Sequence, residues 1–294
     1  MSNPILQMTE KLLDSCDPID SRQFIIAIKK LADDIGYGSD RSTFLGSGIE
    51  YVQSRAYQIG DPIKLIDWKV TARTGKFHVK EYEAPKQMPI YLLLDTSASM
   101  TVSSTNISKY ASAIRIAGGI AFAALDRISP VGVIGAGGRD LFVKPSLSTD
   151  RIMQWLLKLR SYRVDEPTRV GARLAELMPI LTSRSMIIVI SDLHDSTAMP
   201  ALKLAAQKHD CVALQLIDPI ESGIQGAGFV KTREAETGIT GITKNKVKLT
   251  DTKFIAEELK KSGIDYLQLF TNEPIANKLR HFFKARAILS RGAR

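Results

Sequence analysis

Apolar residues recur along this chain with two different periods, and the change between them divides it. Over residues 20–36, Phe24, Ile25, Ile28, Leu31, Ala32 and Ile35 fall at helical spacing; Asp20 or Ser21 can cap the start and Gly36 ends the run. Residues 38–87 lose that period. Gly38, Gly46, Gly48, Gly60 and Gly75 punctuate short β-prone runs such as 51–57 and 76–82, and Gly60-Asp61-Pro62 is a turn signal. The stretch reads as irregular strands with turns. From residue 88 wholly apolar runs alternate with helical ones. Strands are expected at 90–94, 131–134, 140–143, 186–190, 211–217 and 264–270. Helices are expected at 106–127, 149–160, 169–182, 197–208, 250–262 and 274–290. The 135–139 run, GAGGR, joins two strands as a hairpin, and 226–247 reads as a glycine-rich β excursion.

Apolar strands alternating with helices call for a mostly parallel, Rossmann-like α/β sheet covered on both faces. The expected organisation is an N-terminal segment, 1–87, holding one helix and short strands, followed by an α/β domain, 88–294. In such sheets, ligands bind outside the carboxyl ends of the strands.

Composition narrows the class. With 294 residues, 44% hydrophobic and 24% charged, the chain can bury a sizeable core and is neither disordered nor low-complexity. Two cysteines, Cys16 and Cys211, exclude a disulfide scaffold, and Cys211, at the start of an apolar strand, reads as core. The four histidines, His78, His194, His209 and His281, fall in no metal-ligand spacing. No signal peptide and no run of about 20 apolar residues is visible, so a cytoplasmic protein without a membrane span is expected. The net charge of +9 is uneven. Residues 1–87 are neutral, whereas 274–294 carry Lys278, Arg280, Lys284, Arg286, Arg291 and Arg294 with no acid. Such an end can face nucleic acid, yet Ile275, Leu279, Phe282 and Phe283 are spaced as the apolar face of a docked helix.

Three loops fall at the expected site. They are Asp95-Thr96-Ser97-Ala98-Ser99 after strand 90–94, Glu166-Pro167-Thr168 before helix 169–182, and Ser191-Asp192-Leu193-His194-Asp195 after strand 186–190. Short hydroxyl and carboxylate side chains suit a hard cation, Mg²⁺ or Mn²⁺, better than zinc. The candidate ligands are Asp95, Ser97, Ser99, Thr168 and Asp192. The competing reading makes Asp95 or Ser97 the cap of helix 106–127, and Thr168 the cap of helix 169–182.

In that order the loops resemble the von Willebrand factor A domain and its metal-ion-dependent adhesion site. There Asp-x-Ser-x-Ser matches Asp95, Ser97 and Ser99, a Thr matches Thr168, and an Asp matches Asp192. Leu193 stands where that family usually has Gly, and Glu166-Pro167 where it often has Gly-Gly. A second resemblance covers roughly residues 40–245. Arg55-Ala56-Tyr57-Gln58-Ile59-Gly60-Asp61, Ile66-Asp67-Trp68 and Ala72-Arg73, just upstream of the Asp-x-Ser-x-Ser loop, are similar to a bacterial domain-of-unknown-function family, number fifty-eight. Ile217-Asp218-Pro219-Ile220-Glu221 and Glu234-Ala235-Glu236-Thr237-Gly238 extend the likeness. The resemblance implies a cytoplasmic accessory role beside a MoxR-type AAA+ ATPase, assembling or activating a client protein.

The upstream motif also has a direct reading. Arg55, Asp61, Asp67, Trp68 and Arg73 offer both charges and a large aromatic within nineteen positions. They form either a structural network, with Trp68 filling a core edge, or a partner-binding patch with Trp68 and an Arg as anchors. Residues 72–76 hint at a phosphate loop, but its leading Gly and final Ser/Thr are missing. No nucleophile–base–orienter set is spelled out, so the expectation is a non-enzymatic, metal-dependent binding module. The alternatives are a metal-assisted hydrolase using loops 95–99 and 191–195, with His194 as base, and nucleic-acid binding through the basic C-terminal helix.

Overall fold

The computed structural model describes residues 11–12, 21–36, 50–83, 88–138, 140–162, 166–222, 229–233, 240–244 and 252–292. Its strands are β1 (Lys11–Leu12), β2 (Glu50–Ala56), β3 (His78–Glu83), β4 (Ile90–Leu94), β5 (Val131–Gly135), β6 (Phe142–Ser146), β7 (Ser161–Tyr162), β8 (Met186–Ser191), β9 (Asp210–Ile217), β10 (Phe229–Arg233), β11 (Thr240–Lys244) and β12 (Asp265–Phe270). Its helices are α1 (Ser21–Gly36), α2 (Trp68–Thr74), α3 (Lys109–Leu125), α4 (Thr149–Leu159), α5 (Val170–Leu177), α6 (Ala198–Ala205), α7 (Thr252–Lys261) and α8 (Ile275–Gly292).

A six-stranded sheet in the order β12-β9-β8-β4-β5-β6 forms the centre. Every neighbouring pair is parallel except the β5–β6 hairpin. The wholly apolar strands are central and buried on both faces. Their side chains alternate between two cores. Ile90, Leu92, Leu94, Ile188 and Ile190 meet α1, α3 and α4, whereas Tyr91, Leu93, Ile187 and Val189 meet α5 and α6. The chain runs outward from β4 to β5 and β6, then returns past β4 to β8, β9 and β12. The order therefore reverses between β4 and β8, which opens a crevice beyond their carboxyl ends.

The two described parts of the 1–87 segment take different places. Phe24, Ile28, Ala32 and Ile35 of α1 belong to the same core as α3 of the α/β sheet. Residues 50–83 form a separate antiparallel β2–β3 ladder carrying α2. α2 lies where only irregular strands were expected. It is a helix of about two turns with no buried residue, so no apolar period marks it. It is fixed at its ends: the Asp67 side chain accepts from the Lys69 and Val70 amides, and Gly75 closes it in the left-handed conformation. That role accounts for the failed phosphate-loop pattern around Gly75.

The apolar face of α8 docks as expected. Leu279 and Phe283 are buried and Ile275 and Phe282 pack beside them. Two of its cations face acids of the domain and its border: Arg286 meets Asp210 and Asp265, and Lys278 meets Glu273. Cys211 is a buried core residue whose thiol burial pushes up to about 12. β10 and β11 pair as an antiparallel hairpin within 226–247. The Glu234–Gly238 motif, Cys16, and Gly38, Gly46 and Gly48 lie outside the described residues.

Candidate functional site

The first loop leaves β4 at the reversal of strand order. Asp95 is fully buried. Its Oδ1 accepts from the Ser97 amide at 3.0 Å, and its Oδ2 accepts from Ser191 Oγ at 2.6 Å. The Ser191 bond crosses to the end of β8, so Asp95 ties the first loop to the third. Ser97 Oγ lies 3.0 Å from Ser99 Oγ, and Ser99 Oγ donates to Asp192 Oδ2 at 2.9 Å. Three oxygens from two strand ends thus stand side by side.

The second loop is fastened to the first. Ala98 N donates to Glu166 O at 2.8 Å, and Thr96 Oγ1 donates to the buried Glu166 carboxylate at 2.9 Å. Arg169 N donates to Ala136 O, which binds the same loop to the β5–β6 hairpin. Thr168, half-buried, lies between these two anchors. Gly137 is required at this junction. A Cβ there would stand 2.2 Å from Thr96 Oγ1 and 2.3 Å from Glu166 Oε2.

Neither Asp95 nor Ser97 caps α3, and Thr168 is not the N-cap residue of α5. Ser108 caps α3, with its Oγ accepting from Ala111 N, and α5 begins after Arg169 with no side-chain cap of its own. Instead Asp195, from the third loop, accepts from Gly171 N at 2.9 Å. Gly171 permits that approach, since a Cβ would meet Thr197 Oγ1 at 2.3 Å.

The third loop carries a strained residue. Leu193 has φ of +59°, in the left-handed region where a side chain is disfavoured. This is the position at which the sequence departs from Gly. The Leu193 amide donates to Ser191 Oγ and the His194 amide to Asp192 Oδ1, which wraps the loop around Asp192. Behind it, the buried Gln215 of β9 donates to the Asp192 carbonyl at 2.9 Å and is itself engaged by Tyr266 of β12.

Sequence reasoning passed over the most strongly charged feature of the site. Lys109, the first residue of α3, is 1% exposed and its Nζ lies 2.9 Å from Asp192 Oδ2. Glu221, in the turn after β9, meets the same ammonium. Asp218, fully buried at the end of β9, accepts from the amide and hydroxyl of Ser104 and from Ser103 Oγ. The Ile217–Glu221 run therefore clamps the 103–109 segment to the sheet. A lysine among isoleucines and alanines at a helix start has no periodic signature. The signal available was the Asp218–Glu221 pair of the second resemblance, with no basic residue nearby in sequence to satisfy it.

Electrostatics separates the two carboxylates. Burial, with the neighbouring Asp192 charge, pushes Asp95 up to about 7. Burial would raise Asp192 too, but the His194 hydrogen bond and the Lys109 charge outweigh it and hold that carboxyl well below the usual range. Burial works against the Lys109 ammonium, and Asp192 and Glu221 more than offset it. The His194 ring, 3.4 Å from Asp192 Oδ2, is raised by its hydrogen bond to that carboxylate.

The donor chemistry fits a hard cation. Two oxygens at right angles, each ~2.1 Å from a Mg²⁺ ion, stand about 3.0 Å apart. The Ser97–Ser99 and Ser99–Asp192 separations, 3.0 and 2.9 Å, match that spacing. Among the described residues no three His, Cys, Asp or Glu side chains are placed to share an ion, so an ion here would rest largely on hydroxyl oxygens.

The upstream motif resolves differently. Arg55 and Asp61 form a bidentate pair at 2.8 and 2.7 Å, and Gln58 N also donates to Asp61. Asp67 caps α2 and accepts from Ser54 Oγ at 2.6 Å. Those three residues find their partners within the 50–83 unit. Trp68 does not fill a core edge: it begins α2 and is 63% exposed, and Arg73 on the same helix is exposed as well.

The chain matches, over residues 53–261, the family described as protein of unknown function DUF58, and it belongs to that family. Uncharacterised proteins of Mycobacterium bovis and of Mycobacterium tuberculosis are 27% identical to it over 223 residues, covering 74% of this chain and 70% of theirs. No helix among the described residues is long and apolar enough to cross a membrane.

Proposed function

We propose that this protein is a divalent-cation-dependent protein-binding module built on a von Willebrand factor A-like sheet. In this reading Ser97, Ser99 and Asp192 ligate Mg²⁺ or Mn²⁺, Thr168 joins them from the second loop, and Asp95 holds the cluster directly or through water. Such a site is short of negative ligands and takes a carboxylate of a partner to complete the shell. The observation that carries the reading is the spacing of the Ser97, Ser99 and Asp192 oxygens, each about 3 Å from the next on two adjacent strand ends. The module acts beside a MoxR-type AAA+ ATPase on a client protein. Trp68 and Arg73, exposed on a helix that buries none of its residues, supply a second contact of the type that dominates interfaces.

Capture of the AAA+ ATPase on immobilised full chain tests this, with Mg²⁺ present or removed by EDTA. Capture is expected with Mg²⁺ and lost with EDTA or with Asp95→Ala. Equal retention under all three conditions rejects the metal mechanism.

A further inference from the structure

Asp192 already holds a cation. Lys109 Nζ donates to Asp192 Oδ2 at 2.9 Å, and that same oxygen accepts Ser99 Oγ at 2.9 Å. It is the oxygen that stands next to the serine hydroxyls. The lysine is not there to build the helix. α3 is capped by Ser108, and the N-terminal end of a helix disfavours a positive side chain. Burial disfavours it further, since an ammonium removed from water needs matched charges to offset the loss. Glu221 provides a second seat for the same ammonium. Glu221 belongs to the turn after β9, which Asp218 locks onto Ser103 and Ser104. The position of Lys109 is thus set from three directions: by α3, by the third loop and by the β9 turn.

We propose that Lys109 is a resident cation of the ion site. It neutralises Asp192 when no divalent ion is bound and competes with a divalent ion for that carboxylate. Glu221 is the seat that draws the ammonium away from Asp192 and so makes room for the ion. The proposal rests on the ion-binding reading above. It adds that a tethered ammonium always stands at the site, beside the His194 ring that also meets Asp192 Oδ2, and that the Lys109–Glu221 pair sets the divalent affinity. Removing the positive charge removes a like-charge repulsion and tightens divalent binding. Removing the Glu221 charge leaves the ammonium seated on Asp192 alone and weakens it. The two substitutions act with opposite signs, which loss of packing does not produce.

The test is Mn²⁺ binding to the full chain, by calorimetry and electron paramagnetic resonance at fixed pH. Lys109→Met keeps most of the apolar stem and is expected to bind Mn²⁺ at least tenfold more tightly than the unmodified chain. Glu221→Gln is expected to bind at least threefold more weakly. Adding Asp192→Asn to either variant abolishes binding. If the unmodified chain binds Mn²⁺ and Lys109→Met binds it equally or more weakly, the resident-cation proposal is overturned and the ion-binding reading stands. If only Lys109→Met binds, and loses binding with Asp192→Asn, the competition is established and the divalent reading fails for the unmodified chain. Binding by neither overturns both. If Lys109→Met does not fold without metal, melting in EDTA and in Mn²⁺ still reads the effect, because the proposal requires Mn²⁺ to restore its stability. Glu221→Gln, which keeps the lysine, decides by itself if that restoration cannot be measured: binding unchanged or tighter overturns the proposal.

Discussion

Two ion pairs in this molecule look alike on paper and differ in what they do. Arg55 and Asp61 meet in a bidentate pair on the β2–β3 unit, with side chains 37% and 16% exposed. Lys109 and Asp192 meet at 2.9 Å beneath the carboxyl ends of β4 and β8, with side chains 2% and 0% exposed. The first pair has good geometry in a high-dielectric setting, where water and salt compete for both partners. The second lies where water cannot screen it, so each charge depends on the other. The comparison teaches that Arg55, Asp61 and Asp67, in the motif rich in charged letters, find their partners within one small unit. The chemically demanding charges run from Asp95 to Glu221, far apart in sequence, and meet only because the sheet brings them together.

The largest expected effect follows from breaking the buried pair. Lys109→Ala leaves Asp192 beside Asp95 with only the His194 ring to offset its charge and should cost about 3–5 kcal/mol in urea denaturation with EDTA. A loss no larger than that of Arg55→Ala would erase the distinction between the two pairs. Next, Gly137→Ala drives a methyl group into the Thr96–Glu166 hydrogen bond, which is also buried. It should cost about 1–3 kcal/mol by the same measurement, and an unchanged midpoint would mean that the second loop is not held where it is described.

The pH dependence sharpens the contrast further. Asp95 titrates at about 7 in the folded chain, against about 3.9 when unfolded. Between those values the folded state holds more protons, so stability falls as pH rises through that window. His194, raised by Asp192, adds a loss of the same sign as pH rises through its folded value. Asp95→Asn removes only the Asp95 part. In EDTA its melting temperature should exceed that of the unmodified chain by about 5 °C at pH 8, with the gain gone near pH 4. A constant offset across that range would show that Asp95 does not titrate there.

The smallest effects belong to the surface unit. Arg55→Ala should lower the melting temperature by less than about 3 °C and less still in high salt. Trp68→Ala should leave the melting temperature within about 2 °C, because the ring is 63% exposed, while weakening ATPase capture. A large destabilisation by Trp68→Ala would return that ring to a core role.

Much of the sheet was legible because its signal is local. Ile90–Leu94 and Met186–Ile190 are apolar at every position, which only a strand covered on both faces tolerates. The helical period of α1, α4 and α8 was equally plain. α2 was not, because a short helix with no buried face has no period, and its Asp67 and Gly75 ends read as turn residues. That Asp95, Ser97, Ser99 and Asp192 gather at one end of the sheet was legible because their loops follow strands that were themselves legible. Lys109 and Glu221 were not, because no spacing links a helix start to a turn 112 positions later.

The sequence by itself determined the alternation of apolar strands and helices, the docking face of α8 and the three loops that end at the crevice. These depend on hydrophobic periodicity and on residue types at strand ends, which act over a few positions. Tertiary structure alone decided the charge balance of the site and the fate of the upstream motif. Burial sets the worth of a charge, and burial is a property of what folds over a residue rather than of its neighbours in the chain. Asp61 and Asp192 are the same side chain. One is half-buried at the surface against Arg55, and the other is held in the core by Lys109.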